Sequence, residues 1–326
     1  SGRATRRQLS HYHSRTMRLR EVPLTFARGF AMGSADIVPG VSGGTVALVL
    51  GIYRRLIDAI RAGSSALGHF LKLDIKGGVE RLRQVEWAFL LPLLAGIGTA
   101  VLALSHLIET LLEEHPVEMA GLFTGLVVGS VIVAWGLLQR RDLRSILYLL
   151  GTAVVVFVLM GLTSGTSEDS VNQLAEPALW VFFGSGAIAI CAMILPGISG
   201  SFLLVTMGMY GAVLGAVNAR DLPMVAVFVL GCVVGLALFS QVLHWALSEH
   251  YDTVMAALIG LMLGSLRVLW PWPAGVDSTE LGAPSGPVAL PVALAAGGLV
   301  LVVGIEFVSK RLEHRSTSDE VADLHI

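Results

Sequence analysis

Cysteine is almost absent: Cys191 and Cys232 are the only two, and both sit within apolar stretches. That excludes a disulfide framework and a thiolate metal centre, which need more sulfur at closer spacing. Charge is equally sparse, with Lys, Arg, Asp and Glu making up 14% of the 326 residues. No HExxH or phosphate-loop motif occurs, the one Gly-x-Ser-x-Gly spacing, Gly40 to Gly44, falls inside an apolar block and not between a strand and a helix, and histidines and carboxylates never cluster at ligand spacing. Hence no metal or other cofactor is implied, and no hydrolase motif sits in the context its chemistry needs. Nucleic-acid binding has no support outside the basic first two dozen residues, and no convincing cleavage site follows them to make a signal peptide.

What the chain has instead is apolar surface. Hydrophobic residues make up 54% of it, the mean hydropathy is +0.75, and the apolar residues come in blocks of about twenty, the length that crosses a bilayer core. Thirty-seven glycines suit closely packed membrane helices, where small residues let backbones approach.

One apolar block is interrupted where a membrane helix should continue, at Asp36-Ile37-Val38-Pro39-Gly40-Val41-Ser42-Gly43-Gly44-Thr45. The interruption recurs. Pro39-Gly40-Val41-Ser42-Gly43, followed by Gly51-Ile52-Tyr53, returns as Pro196-Gly197-Ile198-Ser199-Gly200 with Gly208-Met209-Tyr210, at a constant offset of 157. At an offset of 135, Gly96 matches Gly231, Glu114-His115 matches Glu249-His250, Gly129-Ser130 matches Gly264-Ser265 and Trp135 matches Trp270. The offsets differ by about the length of a basic loop present only in the first half, so the chain is a duplication with one insertion.

The expected organisation follows from these blocks. Residues 1–23 are a basic cytoplasmic or interfacial arm. Repeat 1 covers 24–162: a re-entrant hairpin at 24–60, a cytoplasmic loop at 61–86, and three transmembrane helices. An acidic external linker spans 163–177. Repeat 2 covers 178–309, with its hairpin at 178–217 and three more helices, and 310–326 form a cytoplasmic tail. If each broken block returns to its own side, each half makes three crossings, and the odd number inverts the second half. With the N-terminus inside, twenty of the twenty-two Lys and Arg are then cytoplasmic, leaving only Arg220 and Arg267. If the broken blocks crossed instead, the basic residues would divide almost evenly between the two sides. The positive-inside rule therefore selects an all-α polytopic membrane protein of two inverted-topology repeats, both termini cytoplasmic, with the two hairpin tips meeting near the midplane.

A Pro-Gly break stops the preceding arm and leaves Ser42 or Ser199 placed to cap the next one. Unpaired N–H groups and the hydroxyls of Ser42, Thr45, Ser199 and Ser201 converge there, and Gly43, Gly44 and Gly200 let a bulky anion approach the backbone. The site-forming turns are Pro39-Gly40 and Pro196-Gly197. Arg28, in the arm before the first break, completes the candidate phosphate ligands; it lies about 12 Å along a helix from Asp36, too far for direct pairing. Asp36 has Met193 as its counterpart, so the acid is not inherited packing; it is a candidate for proton coupling, or a satisfied cap. His106 and Glu109 are further candidates for a proton relay, with His244 and Glu306 behind them. Tyr53 and Tyr210 read as interface anchors closing the second arms.

These residues carry a resemblance. Arg28 through Thr45 with Gly51-Ile52-Tyr53, and Ile194-Leu195-Pro196-Gly197-Ile198-Ser199-Gly200-Ser201-Phe202, resemble the paired signature stretches of the PopT-type polyprenyl-phosphate transporters, a family long of unknown function. The likeness spans roughly residues 24 to 310. It implies a flippase of the bacterial cytoplasmic membrane that returns undecaprenyl phosphate, the lipid carrier of cell-wall polymer synthesis, to the inner leaflet. Its partners would be the polyprenyl phosphate lipid and the membrane, with the oligomeric state open. Two alternatives stand beside it: a proton-coupled carrier of another small anion, and a membrane enzyme modifying a lipid phosphate.

Overall fold

Predominantly apolar stretches form single helices of nineteen or more residues, long enough to cross a bilayer, while the Pro-Gly motifs and the turns at Gly51 and Gly208 divide the remaining apolar blocks into shorter helices. The computed structural model describes residues 21–38, 41–162, 177–272 and 281–323. Most of the basic arm, the Pro39-Gly40 pair, nearly all of the acidic linker and the last three residues lie outside the described residues. Among the described residues the elements are helical: α1 (Val22–Asp36), α2 (Gly43–Val49), α3 (Tyr53–Leu71), α4 (Ile75–Arg83), α5 (Trp87–Glu114), α6 (Pro116–Gly136), α7 (Leu143–Leu162), α8 (Leu179–Ile194), α9 (Gly200–Thr206), α10 (Tyr210–Asn218), α11 (Leu222–Glu249), α12 (Tyr251–Ser265) and α13 (Ala289–Asp323).

Helices α5, α6, α7, α11 and the 289–307 part of α13 are long and apolar enough to span. The expected crossing at 254–270 differs. Its helix α12 has 15 residues, roughly 22 Å against the ~30 Å hydrocarbon core, and the chain continues past Arg267 through turns in which Val268 and Leu269 are buried. The expected loop at 61–86 is also helical for most of its length. Counting charge alone hides this, because α3 buries Ile57, Ala59 and Ala66 while Arg54 and Arg61 stay exposed.

Each broken block contains a second break, at the repeated Gly-x-Tyr that follows the Pro-Gly motif. Gly51 has φ +68° and Gly208 φ +66°, the left-handed region that glycine enters without steric cost. Around them Ile52 N–H donates to the Ala47 carbonyl and Met209 N–H to the Leu204 carbonyl, at 2.9 and 2.8 Å, so each short helix closes as a Schellman motif before a new helix starts at the tyrosine. The axes of α9 and α10 are bent by 107° there.

The duplication survives into the fold. Helices α5 and α11 have 28 residues each, and their C-caps His115 and His250 share one backbone conformation, φ −134° ψ 50° and φ −132° ψ 46°. The largest helix pairings are α1 with α5, α8 with α11, α6 with α13, and α7 with α12. Small residues set the separation in all four. A Cβ on Gly96 would overlap the Phe26 carbonyl, and one on Gly231 would overlap the Phe183 carbonyl at the matching position of the other half. Gly125 against Ala295 and Gly260 against Leu149 repeat the device in the other two pairs.

Contacts at the helix ends bring particular segments together. Asp58 Oδ1 lies 2.7 Å from His244 Nδ1, Arg54 stacks 5.7 Å from the Tyr251 ring centre, and Gln139 N–H donates to the Asp252 carboxylate at 2.8 Å. Elsewhere Arg267 lies 4.7 Å from the Phe157 ring centre, and Trp270 meets Trp272 edge to face. Asp142 accepts from the Ser145 N–H and hydroxyl at the start of α7, which holds its carboxyl below the usual range.

Candidate functional site

The first tip is the junction of α1 and α2. Ser42 is extended, φ −129° ψ 135°, and its Oγ accepts from the Gly44 N–H at 3.1 Å, the N-cap geometry its position called for. The neighbouring N–H, that of Gly43, donates to Asp36 Oδ1 at 2.6 Å. A carboxylate from the end of α1 is thus seated on the first turn of α2, where helix-dipole and charge-assisted bonding act together. Glycine is needed at 43: a Cβ there would lie 2.5 Å from Asp36 Oδ2.

The second tip, between α8 and α9, has the same backbone plan with different side chains. Met193 stands at the place of Asp36, and a Cβ on Gly200 would lie 2.5 Å from its Cγ. Ser199 is extended but makes no capping bond; its hydroxyl pairs with Ser201 Oγ at 2.8 Å. The expected cap at Ser199 is therefore corrected, since Ser201, where tip one has Gly44, offers a closer partner. Gly197 has φ +86° and packs so closely on α12 that a Cβ would lie 2.7 Å from Met262 Cα.

The two tips touch. Gly197 N–H donates to Thr45 Oγ1 at 3.0 Å, and the Ser42 hydroxyl faces the carbonyls of Leu195 at 3.2 Å and Met193 at 3.4 Å. Residues 152 or so positions apart are joined through one small polar volume inside an apolar protein. Ser42, Gly43, Gly44, Thr45, Pro196, Gly197, Ser199 and Gly200 are all buried, with Ser201 and Asp36 half-buried.

Not every candidate gathers here. Arg28 is half-buried two turns before Asp36 on α1. His106 and Glu109 are exposed on α5 and share no hydrogen bond or ion pair with the tips among the described residues. His244 instead meets Asp58, a partner that single-sequence reasoning missed because the two lie in different halves. Tyr53 is no interface anchor: it is 3% exposed within the core, with its hydroxyl unpartnered, while Tyr210 is half-buried.

Beside the first tip lies a cavity of about 400 Å³ whose walls come from α1, α2, α5, α6 and α13. Thr45 and Val41 border it on the tip side; Leu301 and Ile305, 56% and 44% exposed, border it on the outer surface of α13. Its other hydroxyls are satisfied within their own helices, Ser34 on the Phe30 carbonyl and Ser130 on the Leu126 carbonyl. Nothing but apolar surface leads from the tip outwards.

Long apolar helices around a buried pair of polar, broken-helix tips define a multi-pass membrane protein with a duplicated central site. More narrowly, the chain belongs to the undecaprenyl phosphate translocase-like family, whose family model matches residues 32–282. The polyprenyl-phosphate transporter of Vibrio cholerae is 41% identical to it over 249 residues, covering 76% of this chain and 77% of that protein. The polyprenyl-phosphate transporter of Staphylococcus aureus is 31% identical over 261 residues, 76% of this chain and 86% of that protein. No solved structure matches the chain significantly.

Proposed function

We propose that the protein is a flippase for undecaprenyl phosphate in the bacterial cytoplasmic membrane, returning the carrier lipid from the outer to the inner leaflet for reuse in cell-wall polymer synthesis. The observation that carries this reading is the meeting of the two tips, Gly197 N–H on Thr45 and Ser42 on the Leu195 carbonyl. A phosphate cannot enter hydrocarbon unaided, because unpaired charge there costs several kcal/mol or more. It needs a polar seat. Ser42, Thr45 and the Gly197 N–H, now bonded across the tips, and Ser199, Ser201 and the Gly43 and Gly44 N–H groups, now bonded within them, would exchange their bonds for phosphate oxygens, with the Gly200 N–H beside them. The apolar cavity beside Thr45 favours a lipid over a soluble anion. The names of the relatives support the same substrate, and support a carrier rather than an enzyme.

The inverted, re-entrant arrangement is part of this reading. It places Arg54, Asp58 and Gln139 on the same side as His244, Tyr251 and Asp252, and those groups are in contact. Were the broken blocks full crossings, the same partners would be assigned to opposite faces of the membrane. Access from each leaflet would then alternate about the joined tips.

Binding tests the proposal directly. Ser42→Ala combined with Ser199→Ala removes hydroxyls worth about 1.5 kcal/mol or more each towards a charged ligand, which together correspond to a loss of polyprenyl-phosphate affinity of about a hundredfold or more. Unaltered affinity in a folded double variant overturns the site. Release of inorganic phosphate from the lipid by purified protein overturns the carrier reading.

A further inference from the structure

A second apolar groove, of about 490 Å³, lies against the other tip, between α8, α9 and α11. Its tip-side wall is the duplicate of the first cavity's. Five lining positions of the first recur in the second at the offset of 157, among them Ser34 as Cys191, Val41 as Ile198 and Val46 as Leu203. Both adjoin the joined tips: Thr45, which accepts the Gly197 N–H, borders the first, and Leu195, whose carbonyl faces Ser42, borders the second. The second also opens to the outer surface of the protein, through Ile188, Leu238 and Val242, which are 50%, 63% and 57% exposed. Cys191, its one side chain with a polar hydrogen, points that hydrogen at the Gly235 carbonyl, 3.6 Å away. Apart from Thr45, at the tip itself, neither groove offers a polar side chain with a spare hydrogen to a ligand, so each suits a hydrocarbon chain.

We infer that the two grooves are paired seats for one polyisoprenoid tail, the first used while the headgroup is approached from one leaflet and the second while it is released to the other. The inference rests on the flippase reading and adds to it the path of the tail. Inverted halves turn duplicated grooves towards opposite leaflets, so the tail changes grooves when the phosphate passes between the tips. A tail left trailing from one groove would instead have to be dragged through the polar contact at Thr45 and Gly197.

The test uses the full chain in phospholipid nanodiscs with polyprenyl phosphate carrying a photoreactive diazirine in its isoprene chain, cross-links being mapped by peptide mass spectrometry. The expected map has cross-links on both walls, near Val46 and Leu126 and near Leu203 and Leu238, all removed by excess unlabelled polyprenyl phosphate. Ser34→Phe and Cys191→Phe, at equivalent half-buried positions, should each erase cross-links in their own groove alone and slow transport at least tenfold. The cross-link map of the unaltered protein stands even if a Phe variant does not fold. Competed cross-links confined to one groove, or scattered outside both, overturn the paired seats while leaving the flippase standing. A diazirine phosphatidylglycerol that labels both grooves and is not displaced by polyprenyl phosphate also overturns them, in favour of ordinary annular lipid. A probe that binds nowhere, or whose binding ignores Ser42 and Ser199, overturns the flippase reading and the paired seats with it.

Discussion

The two tips share a backbone and divide the chemistry. Tip one contributes side chains: Asp36 and Ser42 hold the first N–H groups of α2, and Ser42 and Thr45 reach across to the partner. Tip two contributes backbone, namely the N–H of Gly197 and the carbonyls of Leu195 and Met193. At the three positions where the copies differ most, tip two has Met193 for Asp36, Ser201 for Gly44 and Phe202 for Thr45. Phe202 is buried against Val156, Met160 and Val268, so the counterpart of a cross-tip acceptor has become packing. Duplication supplied two equal frames, and divergence made one a donor of side chains and the other a receiver.

That division can be broken by exchanging residues between the tips. The largest effect belongs to Asp36→Leu, which strips the Gly43 N–H of a charged acceptor and should cost about 1.5–3 kcal/mol, against less than ~1.5 kcal/mol for Met193→Leu at the matching site. Thermal unfolding of the two variants in one detergent measures the gap, and equal losses would show that the tips are energetically alike. Gly44→Ser copies tip two into tip one; because a Cβ at 44 would lie 2.6 Å from the Ile194 carbonyl, it should force the tips apart at roughly 1–3 kcal/mol, whereas Ser201→Gly should be mild. Thr45→Val keeps shape and removes the acceptor for Gly197, an expected loss of about 1 kcal/mol or somewhat more, read by faster hydrogen exchange at the Gly197 amide. The smallest difference is expected where the tips agree: Gly51→Ala and Gly208→Ala both place a side chain at φ near +67° and should each cost roughly 1–2 kcal/mol. Unequal losses there would mean that the shared second break is held differently in the two halves.

Much of this was legible before any coordinates, and for a reason. An offset of 157 that preserves Pro-Gly-x-Ser-Gly reports a repeated backbone, and charge asymmetry reports which loops share a side; both are properties of the chain alone. The second breaks at Gly51 and Gly208 were visible as a repeated Gly-x-Tyr, but a lone glycine does not disclose its φ. Helices α3 and α4 were hidden because charge content says little about whether a segment is helical when one side is buried. His106 and Glu109 looked like relay groups because sequence gives their depth and not the face of α5 they occupy. The Asp58 and His244 pair, and the choice of Ser201 rather than a backbone N–H by Ser199, depend on which elements meet in space.

The four helix pairs constrain how the protein can move. Two of them, α1 with α5 and α8 with α11, join helices of the same half, but α6 with α13 and α7 with α12 join helices of opposite halves, each across a glycine contact. Rocking one half bodily against the other would shear both of those seams at once. On the flippase reading, the piece that would tilt is smaller: a broken helix with its attached α5 or α11, against a frame of four helices to which both halves have given two. On that reading each repeat supplies half of the lever and half of the fulcrum.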